Sequence, residues 1–89
     1  MASFELSEFE AYRTVLVWVI ATLKGELDID ASPDTDLQNG EIELDSLDKT
    51  TLLVAAEEGW AIDLGTEPIE REVWQTPSTI ARMIASALA

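Results

Sequence analysis

One serine stands where a helix is predicted to begin, in the run Asp45-Ser46-Leu47. The first backbone N–H groups of a helix lack partners within it and carry partial positive charge. They would hold a phosphate ester built on Ser46 without an enclosed pocket. The position of Ser46 would therefore accommodate a covalent modification. The alternative is that Ser46 serves only as the N-cap of this helix, which is the commonest use of serine at such a position.

The helix that follows this serine is predicted over residues 46 to 59, and its apolar residues fall on two faces. One face is expected to join the core, and it contains Leu52, Leu53, Ala56 and Trp60. The other face is expected to stay exposed as a shallow apolar patch. Its residues are Leu47, Thr50 and Val54, flanked by Asp48 and Glu58. A helix with two apolar faces suggests a docking surface.

The first helix is predicted over residues 7 to 24, because apolar residues recur three and four positions apart. The pattern runs through Leu6, Phe9, Tyr12, Leu16, Val19, Ile20 and Leu23, and Val17 and Trp18 widen this core-facing stripe. Ser7 and Glu10 form a capping-box pattern at its start, and Gly25 offers a stop. Because residues 15 to 20 include several β-branched residues, a buried strand is the alternative to this helix. For Val17 and Trp18, the alternative to a place in the core is a dimer interface.

Residues 26 to 48 are predicted to form a long acidic loop, with nine acidic residues and no basic one. Ser32-Pro33-Asp34 and Asn39-Gly40 are turn signals. Aliphatic residues are spaced to pin this loop onto the core: Leu27, Ile29, Leu37, Ile42 and Leu44. The run from Asp34 to Gly40 suggests a calcium loop, but Asn39 stands where an EF-hand needs glycine. No structural metal is expected.

The C-terminal part of the chain is predicted to be helical. Residues 67 to 72 suggest one short helical turn, and Thr76 and Pro77 supply an N-cap and a first-turn proline for the last helix. The residues expected to face inward are Ile80, Ile84 and Leu88, with Met83 and Ala87 beside them. The predicted fold is therefore an all-α four-helix bundle, with three longer helices, one short helix and a long acidic loop between the first two.

Length and charge restrict the organisation and the partners. The chain has 89 residues, which predicts a single domain over residues 1–89. It has 18 acidic and 5 basic residues, for a formal net charge of −13, and 47% of its residues are hydrophobic. The apolar fraction favours a globule over a disordered acidic tail. Such a charge repels nucleic acid and anionic membrane surfaces and attracts basic proteins. A monomer is expected.

The residue types that are absent restrict the chemistry. The chain has no cysteine and no histidine, so neither a Ser/His/Asp nor a Cys/His catalytic site can be assembled. We expect a protein that is not an enzyme, and a small carboxylate-dependent hydrolase is a marginal alternative. The longest apolar run, Val15 to Ala21, is far shorter than a membrane span, and the N-terminus lacks the positive region of a signal peptide. A cytoplasmic location is expected.

The sequence resembles the acyl carrier proteins and their relatives, the peptidyl carrier proteins. The motif Leu44-Asp45-Ser46-Leu47-Asp48 is similar to the family's Asp-Ser-Leu attachment motif. Residues 57 to 64, Glu-Glu-Gly-Trp-Ala-Ile-Asp-Leu, resemble the run that ends the family's second helix. Asp36-Leu37 lies upstream of this motif at a distance similar to that in the family. The resemblance covers nearly the whole chain, including its length, its acidity and the order of its elements.

This resemblance implies that a separate phosphopantetheinyl transferase attaches 4′-phosphopantetheine from coenzyme A to Ser46. The thiol of that arm would carry an acyl or aminoacyl group as a thioester, so the protein would be a carrier. The resemblance also implies a surface for partner enzymes with basic docking surfaces, namely acyltransferases, ligases or condensing enzymes. The residues of that surface are Asp45, Leu47, Asp48 and Glu58, with Thr50 and Val54 as its apolar contact.

Three residues depart from the pattern of the housekeeping fatty-acid carrier: Leu44, Lys49 and Trp60. They favour a specialised fatty-acid or polyketide pathway. Lys49 falls nearer the core face than the acidic face, and its stem is expected to snorkel along apolar surface. A sharper hypothesis is that its ammonium group lies near the arm and favours cargo with a carboxylate. The alternatives to an acyl carrier are a discrete peptidyl carrier of a nonribosomal pathway and an unmodified acidic interaction module.

Overall fold

The protein is built from helices. A computed structural model describes residues 8–40, 42–65 and 69–88. Three α-helices follow in order, α1 (Glu8–Leu27), α2 (Ser46–Trp60) and α3 (Pro77–Leu88), with a 3₁₀ helix at Arg71–Trp74 before α3. No strand occurs in these described ranges, so the all-α prediction is confirmed and the strand alternative is wrong. None of the described helices is long and apolar enough to cross a membrane.

The core lies mainly between α1 and α3, the pair of elements that packs most extensively. Its buried residues from these helices are Val15, Val19, Leu23, Pro77, Ile80, Ala81, Ile84 and Ala85. The two alanines leave α3 a smooth surface on which the branched side chains of α1 can pack. Ile80 and Ile84 were predicted to be inward and are, Leu88 and Met83 are half-buried, and Ala87 is exposed, contrary to prediction.

The predicted core stripe of α1 is wrong at two positions, and it also omits Val15, which is buried. Phe9 is 65% exposed and Val17 is 70% exposed. The buried stripe runs through Val15, Val19 and Leu23 at intervals of four, and Val17 lies about 200° around the helix from Val15. Trp18 is half-buried. Leu6 and Ser7, and with them the predicted capping box, lie outside the described residues.

Helix α1 does not stop at Gly25 as predicted but continues to Leu27. Asp28 then adopts the left-handed conformation with φ 55°, and the backbone N–H of Ile29 donates to the carbonyl of Leu23 at 3.0 Å. The Lys24 ammonium lies 3.4 Å from Asp28 and 3.2 Å from Asp30. Glycine is tolerated within a helix, so the later stop follows from this left-handed residue and its hydrogen bond.

The paired ammonium group of Lys24 gives a testable titration. Its hydrogen bond and attraction to Asp30, and then those to Asp28, raise its pKa above the ordinary 10.5. The stability that this raised pKa contributes is fully present below the ordinary value and is lost as the pH rises through the folded-state pKa. We expect Asp30→Asn to move the pKa back towards 10.5 in a ¹³C NMR titration of the Lys24 side chain. An unchanged pKa in Asp30→Asn would contradict this explanation.

The acidic loop is anchored as the spacing of its aliphatic residues predicted. Leu37 and Leu44 are buried, and the remaining anchors are half-buried against the core: Leu27, Ile29 and Ile42. The backbone N–H of Leu37 donates to the carbonyl of Gln75 at 2.8 Å, and the carbonyl of Leu37 accepts from Leu44 at 3.0 Å. Ser78 donates its N–H at 3.1 Å and its hydroxyl at 2.8 Å to the carbonyl of Pro33. The loop is therefore fixed to the segment that leads into α3.

The segment before α3 differs from the prediction in its first element. The short turn predicted over residues 67 to 72 lies instead at Arg71–Trp74, and residues 66 to 68 lie outside the described part. Trp74 is buried in the core there, which fixes the position of the turn. The start of α3 is as predicted. Thr76 accepts from the N–H of Thr79 at 3.2 Å, Thr79 accepts from the N–H of Thr76 at 2.9 Å, and Pro77 is the first helical residue.

Helix α2 ends at Trp60 and is followed by the C-cap Ala61, a non-glycine residue in the left-handed conformation with φ 53° and ψ 46°. This conformation costs an L-residue roughly 1–2 kcal/mol. Glycine avoids that cost, but it also increases the conformational entropy of the unfolded chain, which offsets part of the gain in stability. Since Ala61 is exposed, we expect Ala61→Gly to raise the free energy of unfolding by about 0.5–1 kcal/mol in urea denaturation. Ala21→Gly, an exposed position within α1, is the matched control and should lower it by a similar amount. Equal effects of both substitutions would show that Ala61 is unstrained.

Candidate functional site

Asp45, and not Ser46, is the N-cap of α2. Asp45 has extended backbone angles, φ −89° and ψ −179°, and its carboxylate accepts from the N–H of Asp48 at 2.8 Å. The carboxylate of Asp48 in turn accepts from the N–H of Asp45 at 3.2 Å. These two bonds form a capping box at the start of the helix. The alternative reading of Ser46 as the N-cap is therefore wrong, because the carboxylate one residue earlier holds that position.

Ser46 is the first residue of α2, and its side chain is exposed. Its hydroxyl has no hydrogen-bond partner among the described residues, and its carbonyl accepts from the Thr50 hydroxyl at 2.9 Å. The backbone N–H groups of Ser46 and Leu47 also lack partners in the described part of the chain, as expected for the first turn of a helix. A free hydroxyl therefore lies next to two free donors, an arrangement that accommodates a phosphate ester.

One side of α2 presents the exposed apolar patch that its sequence pattern predicted. Leu47 is 73% exposed and Val54 is 46% exposed, although both are aliphatic. Thr50 and Glu58 are exposed beside them. We call this side the Ser46 face, and its residues are Ser46, Leu47, Thr50, Val54 and Glu58. The face combines apolar side chains with the carboxylate of Glu58, and the free hydroxyl lies at its N-terminal end.

The opposite side of α2 joins the core, also as predicted. Leu52 and Ala56 are buried, and Leu53 and Trp60 are half-buried. The rings of Trp60 and of Trp18 from α1 pack edge to face, with 6.0 Å between ring centroids and 75° between the planes. The indole N–H of Trp60 is buried without a hydrogen-bond partner among the described residues. The two indoles therefore fill the junction between α1 and α2.

Lys49 lies on the core-facing side of α2, one turn before Leu53, as its position on the helix predicted. It is half-buried, and its ammonium nitrogen lies 5.8 Å from the centroid of the Trp74 ring, within cation–π distance. The predicted snorkelling of its stem along apolar surface is consistent with this position. Lys49 borders a surface cleft of about 200 Å³ that we call the Lys49–Arg71 cleft. Its other lining residues are Gln38, Glu43, Leu44 and Arg71.

Arg71 belongs to this cleft and was not singled out from the sequence. It is far from Ser46 along the chain and follows no motif, so only its positive charge within an acidic protein could have drawn attention to it. The side-chain amide of Gln38 donates to the backbone carbonyl of Arg71 at 2.6 Å. This bond ties the acidic loop to the 3₁₀ helix and brings Arg71 beside the start of α2.

The run from Asp34 to Gly40 forms a turn held by its own side chain. The Asp36 carboxylate accepts from the N–H groups of Gln38 at 2.9 Å and Asn39 at 3.0 Å. These hydrogen bonds lower the pKa of Asp36 below its ordinary value. Among the described residues, no three acidic side chains converge as metal ligands would. The Asp36 carboxylate, which belongs to the run that suggested a calcium loop, therefore accepts hydrogen bonds from the backbone of the turn.

Comparison with protein-family models, with curated proteins and with solved structures gives no match for this chain. Inference about its function therefore starts from its own residues and their geometry.

Proposed function

We propose that this protein is an acyl carrier protein, in which Ser46 bears a 4′-phosphopantetheine arm that holds acyl intermediates as thioesters. The single observation that carries the proposal is the state of Ser46. Its hydroxyl is exposed and free of hydrogen bonds within the described residues, and it lies beside unpaired N–H groups at the start of a helix. The capping box of Asp45 and Asp48 leaves Ser46 without a structural task of its own.

The arm would supply the thiol that a chain without cysteine lacks. Coenzyme A and a separate phosphopantetheinyl transferase would provide it, so the protein itself performs no catalytic step. The Ser46 hydroxyl would attack the β-phosphorus of coenzyme A, release 3′,5′-adenosine bisphosphate and lose its proton to the transferase. The resulting phosphodiester would remain next to the free N–H groups of Ser46 and Leu47.

The Ser46 face would be the surface that partner enzymes bind. Covering exposed aliphatic side chains such as Leu47 removes apolar surface from water, which favours binding of a partner. Acidic groups near them would attract Lys and Arg of the partner. Transferases, acyltransferases, ligases and condensing enzymes with basic docking surfaces fit this chemistry. The specialised fatty-acid or polyketide pathway is part of the proposal, and a peptidyl carrier would use the same face.

The finer description of the fold also belongs to this proposal. We propose that the 3₁₀ helix Arg71–Trp74 takes the place of the short helix in a four-helix carrier bundle, over a single carrier domain of residues 1–89. The order of elements supports this, because a long acidic loop separates α1 from α2 and a short turn precedes α3. Trp74 provides the core contact of that turn.

The test is the intact mass of the protein before and after incubation with coenzyme A and a broad-specificity phosphopantetheinyl transferase. The expected result is the gain of one phosphopantetheinyl group, which peptide mapping places on Ser46. The protein must first be shown to be unmodified. A chain that gains nothing with several transferases, while a known carrier gains the group in the same tube, would overturn the proposal.

The second candidate is an unmodified interaction module. The exposure of Leu47 and Val54 favours this candidate as well, because an apolar patch with acidic neighbours suits a basic partner whether or not Ser46 is modified. The two candidates differ in their dependence on the hydroxyl. An interaction module would keep its partner binding in Ser46→Ala, whereas a carrier would lose its function.

A further inference from the structure

The five basic residues of this acidic protein have different surroundings. Three of them have partners elsewhere in the fold: Lys24 pairs with Asp28 and Asp30, the Arg13 guanidinium lies over Phe9, and that of Arg82 lies over Tyr12. The remaining two are Lys49 and Arg71, and both line one cleft. Lys49 lies over the Trp74 ring, so Arg71 is the one basic residue whose side chain has neither an ion pair nor an aromatic partner among the described residues.

Neither cation of the Lys49–Arg71 cleft forms an ion pair with the acidic side chains of the described residues. The Arg71 guanidinium also has no hydrogen bond within that part of the chain. Glu43 is the acid that lines the cleft, so the lining carries two positive charges and one negative charge. In a protein with a net charge of −13, the lining of this cleft has more cations than acids, so an anion meets less repulsion there than at the acidic surface around it.

The size and the lining of the cleft restrict that anion. A volume of about 200 Å³ holds a carboxylate with a few methylene groups but is too small for a whole pantetheine arm. Leu44 and the aliphatic stem of Lys49 offer apolar contact to the methylene groups. A guanidinium binds a carboxylate through two parallel hydrogen bonds, and the side-chain donors of Arg71 have no partner among the described residues.

The cleft also lies next to Ser46. Leu44 precedes Ser46 by two residues, and Lys49 follows it in the first turn of α2. Side chains three apart on a helix are roughly 5–6 Å apart at their Cβ atoms. The arm must fold back for its end to reach this cleft, and a group tethered to Ser46 by a flexible arm has an effective concentration on the order of millimolar, so a weak site is enough to hold it.

We propose that the Lys49–Arg71 cleft binds the terminal carboxylate of a dicarboxylic acyl group carried on the arm of Ser46. This inference rests on the proposed carrier function and adds the class of cargo. It extends the hypothesis about Lys49 with a second cation and a defined site. The phosphodiester of the arm is the other anion within reach, and the experiment separates the two.

The experiment compares three forms of the protein by NMR at pH 6.5: the arm alone, the succinyl arm and the butyryl arm, each transferred from the corresponding coenzyme A. Succinyl and butyryl groups have the same chain length and differ in the terminal carboxylate. We expect the succinyl form alone to shift the Arg71 side-chain N–H signal and to give nuclear Overhauser contacts from cargo methylene protons to Leu44. High salt should weaken both effects.

Lys49→Gln and Arg71→Gln should each lose the contacts between the succinyl group and Leu44. Arg13→Gln removes the same charge from an exposed position that does not line the cleft, and it should keep them. Identical spectra for the succinyl and butyryl forms would overturn the inference and leave the carrier function standing. An Arg71 shift already complete with the arm alone would assign the cleft to the phosphodiester. A protein that accepts no arm would overturn the proposed function itself.

Discussion

Ser46→Ala is expected to abolish addition of the phosphopantetheinyl group and to leave the fold and its stability intact. The hydroxyl is the only atom of Ser46 that the modification needs, and it has no hydrogen bond within the described residues. Since Asp45 caps the helix, the substitution removes no cap. Alanine also has a higher helix propensity than serine, so we expect the free energy of unfolding to stay equal or to rise by up to about 0.5 kcal/mol.

Two further variants serve as controls for Ser46→Ala. Ser86→Ala changes an exposed serine of α3 in the same way and should still gain the group. Asp45→Ala removes the cap and should lower the free energy of unfolding by about 0.5–2 kcal/mol. Intact mass gives the modification, and urea denaturation gives the stability. A modified Ser46→Ala protein, or one destabilised as much as Asp45→Ala, would contradict the assignment of roles at this helix start.

Leu37→Ala should have the largest effect on stability. Leu37 is fully buried, and its backbone joins Gln75 at 2.8 Å and Leu44 at 3.0 Å. Shortening a buried leucine to alanine removes apolar contacts and leaves a cavity, which costs about 2–5 kcal/mol. A domain of this size has a total stability of the order of 5–15 kcal/mol, so a considerable fraction of it should be lost. Urea denaturation monitored by circular dichroism measures the change.

Leu47→Ala is the matched control, because the chemical change is the same but the side chain is 73% exposed. We expect its free energy of unfolding to change by no more than about 0.5 kcal/mol. Under the carrier proposal, the same variant should be a poorer substrate for partner enzymes, with KM rising more than kcat falls. Equal destabilisation by both substitutions would mean that Leu37 does not anchor the acidic loop.

The loop and both faces of α2 could be predicted from the sequence. Leu37 and Leu44 are isolated aliphatic residues among acids, and burial is the one environment that favours them. In α2, the apolar residues form two separate groups around the helix. Leu52 and Ala56, from one group, are buried in the core, and Leu47, from the other group, is exposed. In such segments the local sequence pattern is enough to predict which residues are buried and which are exposed.

Other features depended on information that the local sequence lacks. Helix α1 has apolar residues on several sides, so its periodicity could not decide between Phe9 and Val15 as a core residue, and the packing of α3 did. Asp45 and Ser46 are both good N-caps, and the reciprocal bond from Asp48 decided between them. Arg71 reaches the cleft through tertiary folding, and no spacing rule connects it to Lys49.

Helix α2 is attached to the rest of the protein by few buried side chains. Its fully buried residues are Leu52 and Ala56, whereas α3 buries Pro77, Ile80, Ala81, Ile84 and Ala85. Local opening of a protein begins in the elements that lose the least buried apolar area. The amide hydrogens of α2 should therefore exchange with solvent through partial openings in which α1 and α3 stay folded. The helix that begins with Ser46 is thus the part of the fold that can loosen by itself.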